Sequence, residues 1–381
     1  MLSTQSKPDK CRLDEISSDP KNNLSNLISE DANPLVILVS MCSYYEPTQV
    51  SELNGDNYKL KILHLNIRSI PDKIDDLRSL LQKLKDVNCE IDFVLVCETW
   101  FTQRTIINNY NIEGYVMQET HRVIRSSGGG VAIYVNCNLN FKPRPDLAIY
   151  DEYLAESIFV EIKLQNNRKI VIGELYRQPN SSYNDFIVKY ESLIEKIDAE
   201  KADLILGTDQ NLNFLNIETC NLASGFLETN LSAGIVPHIL KPTRITHDKA
   251  TLIDNIYTKS NRVCSSKSAI LATPLGDHCP CLLLLDELPV RNDKPMKIKT
   301  RKLDENAISN INNDLSQKDW DFLESVNVND GYTQFIDIIN NSLDERAPEI
   351  TKTIKPSHIL KVPWMTSGLL KSSITCDKLY K

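Results

Sequence analysis

The residues whose types suit chemistry are Asn66, Glu98, Tyr176, Asp209, Asn211, Asp254, Asp277 and His278. Each stands at the end of, within, or just before an apolar run. A cap or a turn explains any one of them. Together they hold the parts needed to hydrolyse a phosphodiester. One or two carboxylates bind a hard cation through oxygen. A second carboxylate takes a proton from water. Amide, phenol and imidazole donors stabilise charge on the phosphate. A buried Asp fixes the tautomer of an imidazole.

The central stretch is residues 204–211, Leu-Ile-Leu-Gly-Thr-Asp-Gln-Asn. Its apolar start reads as a buried strand. Asp209 and Asn211 emerge at the carboxyl end, where open α/β sheets carry their chemistry. Two apart on an extended chain, they point the same way.

The elements that must position this set follow in order. Residues 61–65 are β-like and stop at Asn66. Pro71 opens a helix whose apolar stripe is Ile74, Leu77, Leu81, Leu84 and Val87. Residues 93–97 read as a buried strand with Glu98 at its end. If the two strands are parallel, Asn66 and Glu98 share one edge. Gly128, Gly129 and Gly130 precede a strand rather than a helix, so they read as a tight turn and not a phosphate loop. Residues 157–164 and 169–176 read as a hairpin joined by residues 165–168, and residues 185–199 as an amphipathic helix. Residues 251–257 read as a strand with Asp254 in its middle, which a core tolerates only when the acid is paired. Residues 281–285 form the last buried strand, after the loop that carries Asp277 and His278. From about 288 the chain turns polar, with one amphipathic helix around Phe335, Ile338, Ile339 and Leu343.

The chain has 381 residues, 41% of them hydrophobic, enough to bury a sizeable core. Net charge is -8 and the pI about 5.4, which argues against a protein that coats nucleic acid non-specifically. A nuclease with a locally basic face stays compatible. Ten cysteines show no zinc spacing and read as reduced thiols of a cytosolic or nuclear protein. Residues 1–33 are polar, without a signal-peptide layout, and residues 34–42 are far too short to span a membrane. Residues 35–41 read as either a strand or a plug, and residues 44–58 as a connecting turn.

At this point the pattern resembles the endonuclease/exonuclease/phosphatase superfamily. Within it, the chain is most similar to the endonuclease domain of non-LTR, jockey-like retrotransposons. Seven stretches appear in the expected order: LHLNIRSI, DFVLVCETW, GGGVAIYV, GELYRQP, LGTDQN, TLIDNIYT and GDHCP. The resemblance implies a deoxyribonuclease-I-like α/β fold, a four-layer sandwich of two mixed sheets flanked by helices. It implies a largely disordered leader over 1–58, the nuclease domain over 59–287, and a partly helical linker over 288–381. That linker, with VPWMTSGLLKSS, would precede a reverse transcriptase, so the chain reads as a polyprotein fragment or a truncated copy.

The implied activity is Mg2+-dependent (or Mn2+-dependent) nicking of target DNA for retrotransposition. The implied partners are DNA, the element RNA and a reverse transcriptase domain, with action in the nucleus and no membrane. Glu98 would be the principal metal carboxylate, with Asn66 beside it and Asp277 near the metal or the water. Asp209 would act on the attacking water and Asn211 hold the phosphate. Tyr176 would lie on the phosphate side, His278 would contact the phosphate, and Asp254 would pair with His278. One departure stands out: the family motif is Gly-Asp-x-Asn, whereas Thr208 here separates Gly207 from Asp209. Two alternatives remain: a phosphodiesterase of the same fold on lipid headgroups or nucleotides, and an inactive copy serving as a binding module.

Overall fold

The computed structural model describes residues 42–354, except 54–57, 125–127, 261–264, 274, 292–295, 322 and 324–325. The expectations for residues 1–33, for 35–41 and for VPWMTSGLLKSS lie outside the described residues. The chain divides into two compact units, with the boundary between Asn292 and Asp293.

The first unit opens with β1 (Ser43–Tyr45), β2 (Leu60–Asn66), α1 (Ile70–Asp86) and β3 (Phe93–Cys97). Next come β4 (Tyr115–Thr120), β5 (Val131–Asn136), β6 (Phe141–Pro143), β7 (Tyr150–Asp151), β8 (Ala155–Lys163) and β9 (Lys169–Arg177). Then follow α2 (Tyr183–Ala199), β10 (Asp203–Asp209), α3 (Asn221–Ser232), β11 (Val236–Pro237), β12 (Arg244–Ile245) and β13 (Ala250–Thr251). The unit closes with β14 (Asp254–Lys259), β15 (Ser266–Leu271) and β16 (Cys281–Leu285).

Two large mixed sheets result. One runs β1-β15-β16-β2-β3-β5-β4, and the other β11-β14-β10-β9-β8-β6, with β7 on β8. Strand alternation builds the layers. On β2, Leu60 and Ile62 enter the core between the sheets, while Leu63 and Leu65 pack with α1. On β3, Phe93 and Leu95 face inward, and Val94 and Val96 meet Ile74 and Leu77 of α1. Phe186 and Tyr190 of α2 and Phe226 of α3 join the core of the second sheet. This is the expected sandwich of two mixed sheets flanked by helices.

Register decides what meets at the edge. β2 and β3 are parallel, with Asn66 opposite Cys97. β9 and β10 are parallel, with Tyr176 opposite Asp209. β10 and β14 are antiparallel, with Asp209 opposite Asp254. The ends of β2, β3, β9 and β10 and the start of β14 therefore converge on one mouth.

Three local readings change. Residues 42–53, expected as leader and turn, are folded: β1 pairs in parallel with β15, and the following turn buries Val50 and Leu53. The partner strand lies more than 200 residues away, so local composition carries no sign of it. The first unit also runs past 287: Leu164 bridges Pro289, and Arg291 pairs with Asp92 at 2.8 Å. Asp254 begins β14 rather than sitting mid-strand, because residues 251–257 break at Leu252 and Ile253. No helix among the described residues is long and apolar enough to cross a membrane.

The second unit holds β17 (Met296–Thr300), α4 (Glu305–Ser316), α5 (Val328–Arg346) and β18 (Ile350–Ile354). β17 and β18 form an antiparallel pair. Ala307 and Ile311 of α4 form a small core with Ala347, the residue after α5. Asp304 and Asn327 cap the two helices by accepting from the backbone N–H groups of Ala307 and Asp330. One helix was expected here, and among the described residues both α4 and α5 are helices, the apolar stripe of α4 being short.

Candidate active site

Asn66 joins the two sheets at the mouth. Its Nδ2 donates to Glu98 Oε1 at 2.9 Å and to Asp209 Oδ2 at 2.8 Å. Glu98 belongs to the first sheet's edge and Asp209 to the second's. Tyr176 adds a phenol that donates to Glu98 Oε1 at 3.3 Å. Trp100, which the sequence did not single out, donates Nε1–H to Glu98 Oε2 at 3.2 Å.

Backbone strain gathers at this edge. Arg68, Ser69, Glu98, Trp100 and Asn211 all have φ between 46° and 88°. Left-handed backbone is costly for residues with a Cβ and is tolerated mainly by Asn and Asp. Strain of this kind concentrates where structure over-determines a functional geometry.

Asp254 carries the histidine. His278 Nδ1 lies 3.0 and 2.9 Å from its two carboxylate oxygens, and Thr243 Oγ1 donates to Oδ2 at 2.6 Å. Asp209, Asp254 and His278 are all buried and offer ligand atoms within 4.8 Å of one another. Burial, then the charge of Asp254, pushes the Asp209 carboxyl up to about 7. Burial would also raise Asp254, but His278 and His64 outweigh it and hold its carboxyl well below the usual range. Burial opposes protonation of His278, and Asp254 outweighs that and raises its pKa.

Asn211 and Asp277 are placed less openly. The Asn211 backbone N–H donates to Asp209 Oδ1 at 3.1 Å, and its Nδ2 donates to Arg177 O at 2.7 Å. One amide hydrogen remains for a phosphate oxygen. Asp277 is held by two arginines: Arg68 NH1 at 3.1 Å and Arg244 Nε at 2.9 Å. Burial would raise its carboxyl, but His278, Arg244 and Arg68 lower it. The structure thus ties Asp277 to the rim arginines, and brings Asn66, Glu98, Tyr176, Asp209, Asp254 and His278 together.

The donor set fits a hard divalent cation. The groups in reach are mainly carboxylate oxygens, and burial, with the like charge of Asp254 second, pushes up the Asp209 carboxyl. A cation would offset both the burial of this charge and the repulsion from Asp254.

Comparison with solved structures puts this architecture in a known class. AP endonuclease LMAP from Leishmania major superposes with a TM-score of 0.50 at 12% identity, over 67% of this chain and 96% of that one. The Xenopus laevis APE2 catalytic domain matches at a TM-score of 0.47 and 15% identity, over 62% of this chain and 94% of that one. The endonuclease domain of TRAS1, a telomere-specific non-LTR retrotransposon, matches at 0.44 and 13% identity, over 59% of this chain and 98% of that one. At these identities the likeness concerns the fold, which is that of the deoxyribonuclease-I-like endonuclease/exonuclease/phosphatase proteins. No family model and no curated protein matches the sequence.

Four residues outside the expected set shape the mouth: Trp100, Thr243, Arg68 and Arg244. Arg68 lay inside LHLNIRSI and could have been flagged as a cation two residues past Asn66. Nothing in the sequence marked Thr243 or Arg244, which reach the site from a separate hairpin.

Proposed function

We propose that this chain is a Mg2+-dependent endonuclease that hydrolyses a DNA phosphodiester bond, nicking target DNA for retrotransposition as one domain of a larger polyprotein. Mn2+ is the other cation that suits the donors. The observation that carries the reading is the Asn66 amide spanning Glu98 and Asp209, with the Asp254–His278 pair alongside. The fold and the seven ordered motifs support it. The element RNA and a reverse transcriptase domain would be its partners, and the nucleus its place of action.

Glu98 and Asn66 would hold the cation, whose chemistry is to polarise the phosphoryl group and offset its developing charge. Asp209, whose carboxylate accepts from the Asn66 amide, takes a proton from the attacking water. His278 donates toward a phosphate oxygen, and Asp254 keeps Nδ1 engaged, which leaves Nε2 for that contact. Asn211 offers its remaining amide hydrogen to the phosphate. Tyr176 stays a neutral phenol, because burial and then Glu98 raise its pKa above the usual range. Arg68 and Arg244, half-buried at the rim and shared with Asp277, give a net acidic chain local positive charge for a DNA backbone.

The test is conversion of supercoiled plasmid to the nicked circle. Nicking is expected with Mg2+ or Mn2+ and lost in EDTA. Activity that survives chelation removes the metal role. Hydrolysis of a small phosphodiester by a chain that leaves plasmid intact favours the non-DNA phosphodiesterase.

A further inference from the structure

A second histidine–carboxylate pair lies one layer beneath the mouth. His64 stands two residues before Asn66 on β2, Glu174 two before Tyr176 on β9, and Gly207 two before Asp209 on β10. The two-residue repeat of a strand stacks these three in one layer behind the site. His64 and Glu174 are both 0% exposed, and His64 Nδ1 lies 3.0 Å from Glu174 Oε2.

The other ring nitrogen, His64 Nε2, has no hydrogen-bond partner and lies 3.8 Å from Asp254 Oδ1. Asp254 in turn holds His278. Glu174, His64, Asp254 and His278 therefore run in sequence from the sealed core to the open mouth. Room for the first two comes from Gly207. A Cβ there would stand 2.5 Å from Glu174 Oε2 and 3.0 Å from His64 Nδ1. Stability is a weak reason for such a pair, since packed apolar residues of similar volume usually do as well or better.

We propose that Glu174 and His64 are positioning residues that set the orientation of Asp254 and, through it, of the His278 ring. The role rests on the hydrolytic reading for what His278 does, but the chain of contacts stands without it. Glu174 turns the His64 ring so that Nε2 faces Asp254. Asp254 is then hydrogen-bonded by Thr243 and His278 and faced at 3.8 Å by the His64 ring, which together narrow its carboxylate to one orientation. Support from behind a first set of functional side chains is commonly worth 10–100-fold in activity.

The test compares His64→Leu/Glu174→Met with Glu174→Gln, Asp254→Asn and the parent, all as the full chain. Removing both partners leaves no orphaned charge, so the double variant is expected to melt at or above the parent Tm. The first readout is the proton NMR signal of the His278 Nδ1–H, measured without DNA or metal. Positioning predicts that it moves upfield or broadens through exchange with water in the double variant, and moves less in Glu174→Gln.

The second readout is plasmid nicking. The double variant should lose about 10–100-fold in kcat at unchanged KM. That loss should not add to the loss of Asp254→Asn. An unchanged His278 signal in the folded double variant overturns the proposal, as do full kcat or additive losses. Should the double variant fail to fold, Glu174→Gln decides on the same readouts. A parent that does not nick sinks the hydrolytic reading, while the His278 signal still decides this one.

Discussion

β14 carries two buried histidines against its one length, and they live in opposite worlds. At its start, Asp254 holds His278. Four residues on, Thr258 Oγ1 lies 2.7 Å from Nε2 of His238. Both rings are 5% exposed. Burial lowers His238 to about 4, with no acid to oppose it. Burial acts on His278 too, yet Asp254, Asp209 and Asp277 raise its pKa. Burial alone thus lowers an imidazole's pKa, and the acids gathered at one edge of the sheets raise it. Those acids are there because four strand ends and one strand start meet at that edge, not because of anything local to the histidine.

Removing the acid should move His278 toward the state of His238. In Asp254→Asn, His278 loses the foremost of the acids that face it, keeping Asp209 and Asp277, and kcat for nicking should fall by roughly 10²–10⁴-fold. His278→Ala should fall similarly, and the double variant should be little worse than either single one. Clearly additive losses would show that the pair does not act as a unit.

Asp209→Asn sharpens the contrast from the other side. It removes a like charge from the mouth but leaves the Asp254–His278 contact. A kcat loss of the same order is expected, about 10²–10⁴-fold, with the Mg2+ concentration for half-maximal rate unchanged. A large rise in that concentration would reassign Asp209 to the cation. Glu98→Gln is expected to behave in the opposite way, with saturation needing much more Mg2+ and a smaller loss of rate once saturated. Titration of nicking rate against Mg2+ for both variants separates the two roles.

The smallest effect concerns the far end of β14. His238 has a folded pKa below its unfolded one, so the unfolded chain binds the extra proton. Its contribution is complete above about pH 6.5 and is lost as pH falls toward about 4, on the order of 3 kcal/mol at the acid end. His238→Gln should flatten the fall of Tm across that window and leave nicking at neutral pH unchanged. A Tm profile parallel to the parent's would show that His238 is not the group responsible.

Much of this was legible in the chain. Alternation and apolar runs marked β2, β3, β8, β9, β10 and β16, because a strand buried on one or both faces must carry that pattern. The periodic stripes of α1 and α2 did the same for the helices. Acids at the ends of apolar runs stood out because a core does not accept them without partners. Other features left no local trace. β1 is three residues long and exists only through a strand more than 200 residues away. Asp254 was legible as an acid needing a partner, but the break before β14 came from its pairing with β10.

The sequence by itself determined which residues could do chemistry and which strands would carry them, since both follow from residue type and period. Only the tertiary structure decided that Asn66 spans Glu98 and Asp209, that Arg68 and Arg244 claim Asp277, and that His64 and Glu174 lie behind Asp254. Each of these contacts joins strands or loops from distant parts of the chain. Strand period says which face a side chain takes, whereas the packing of one sheet on the other says what it meets there.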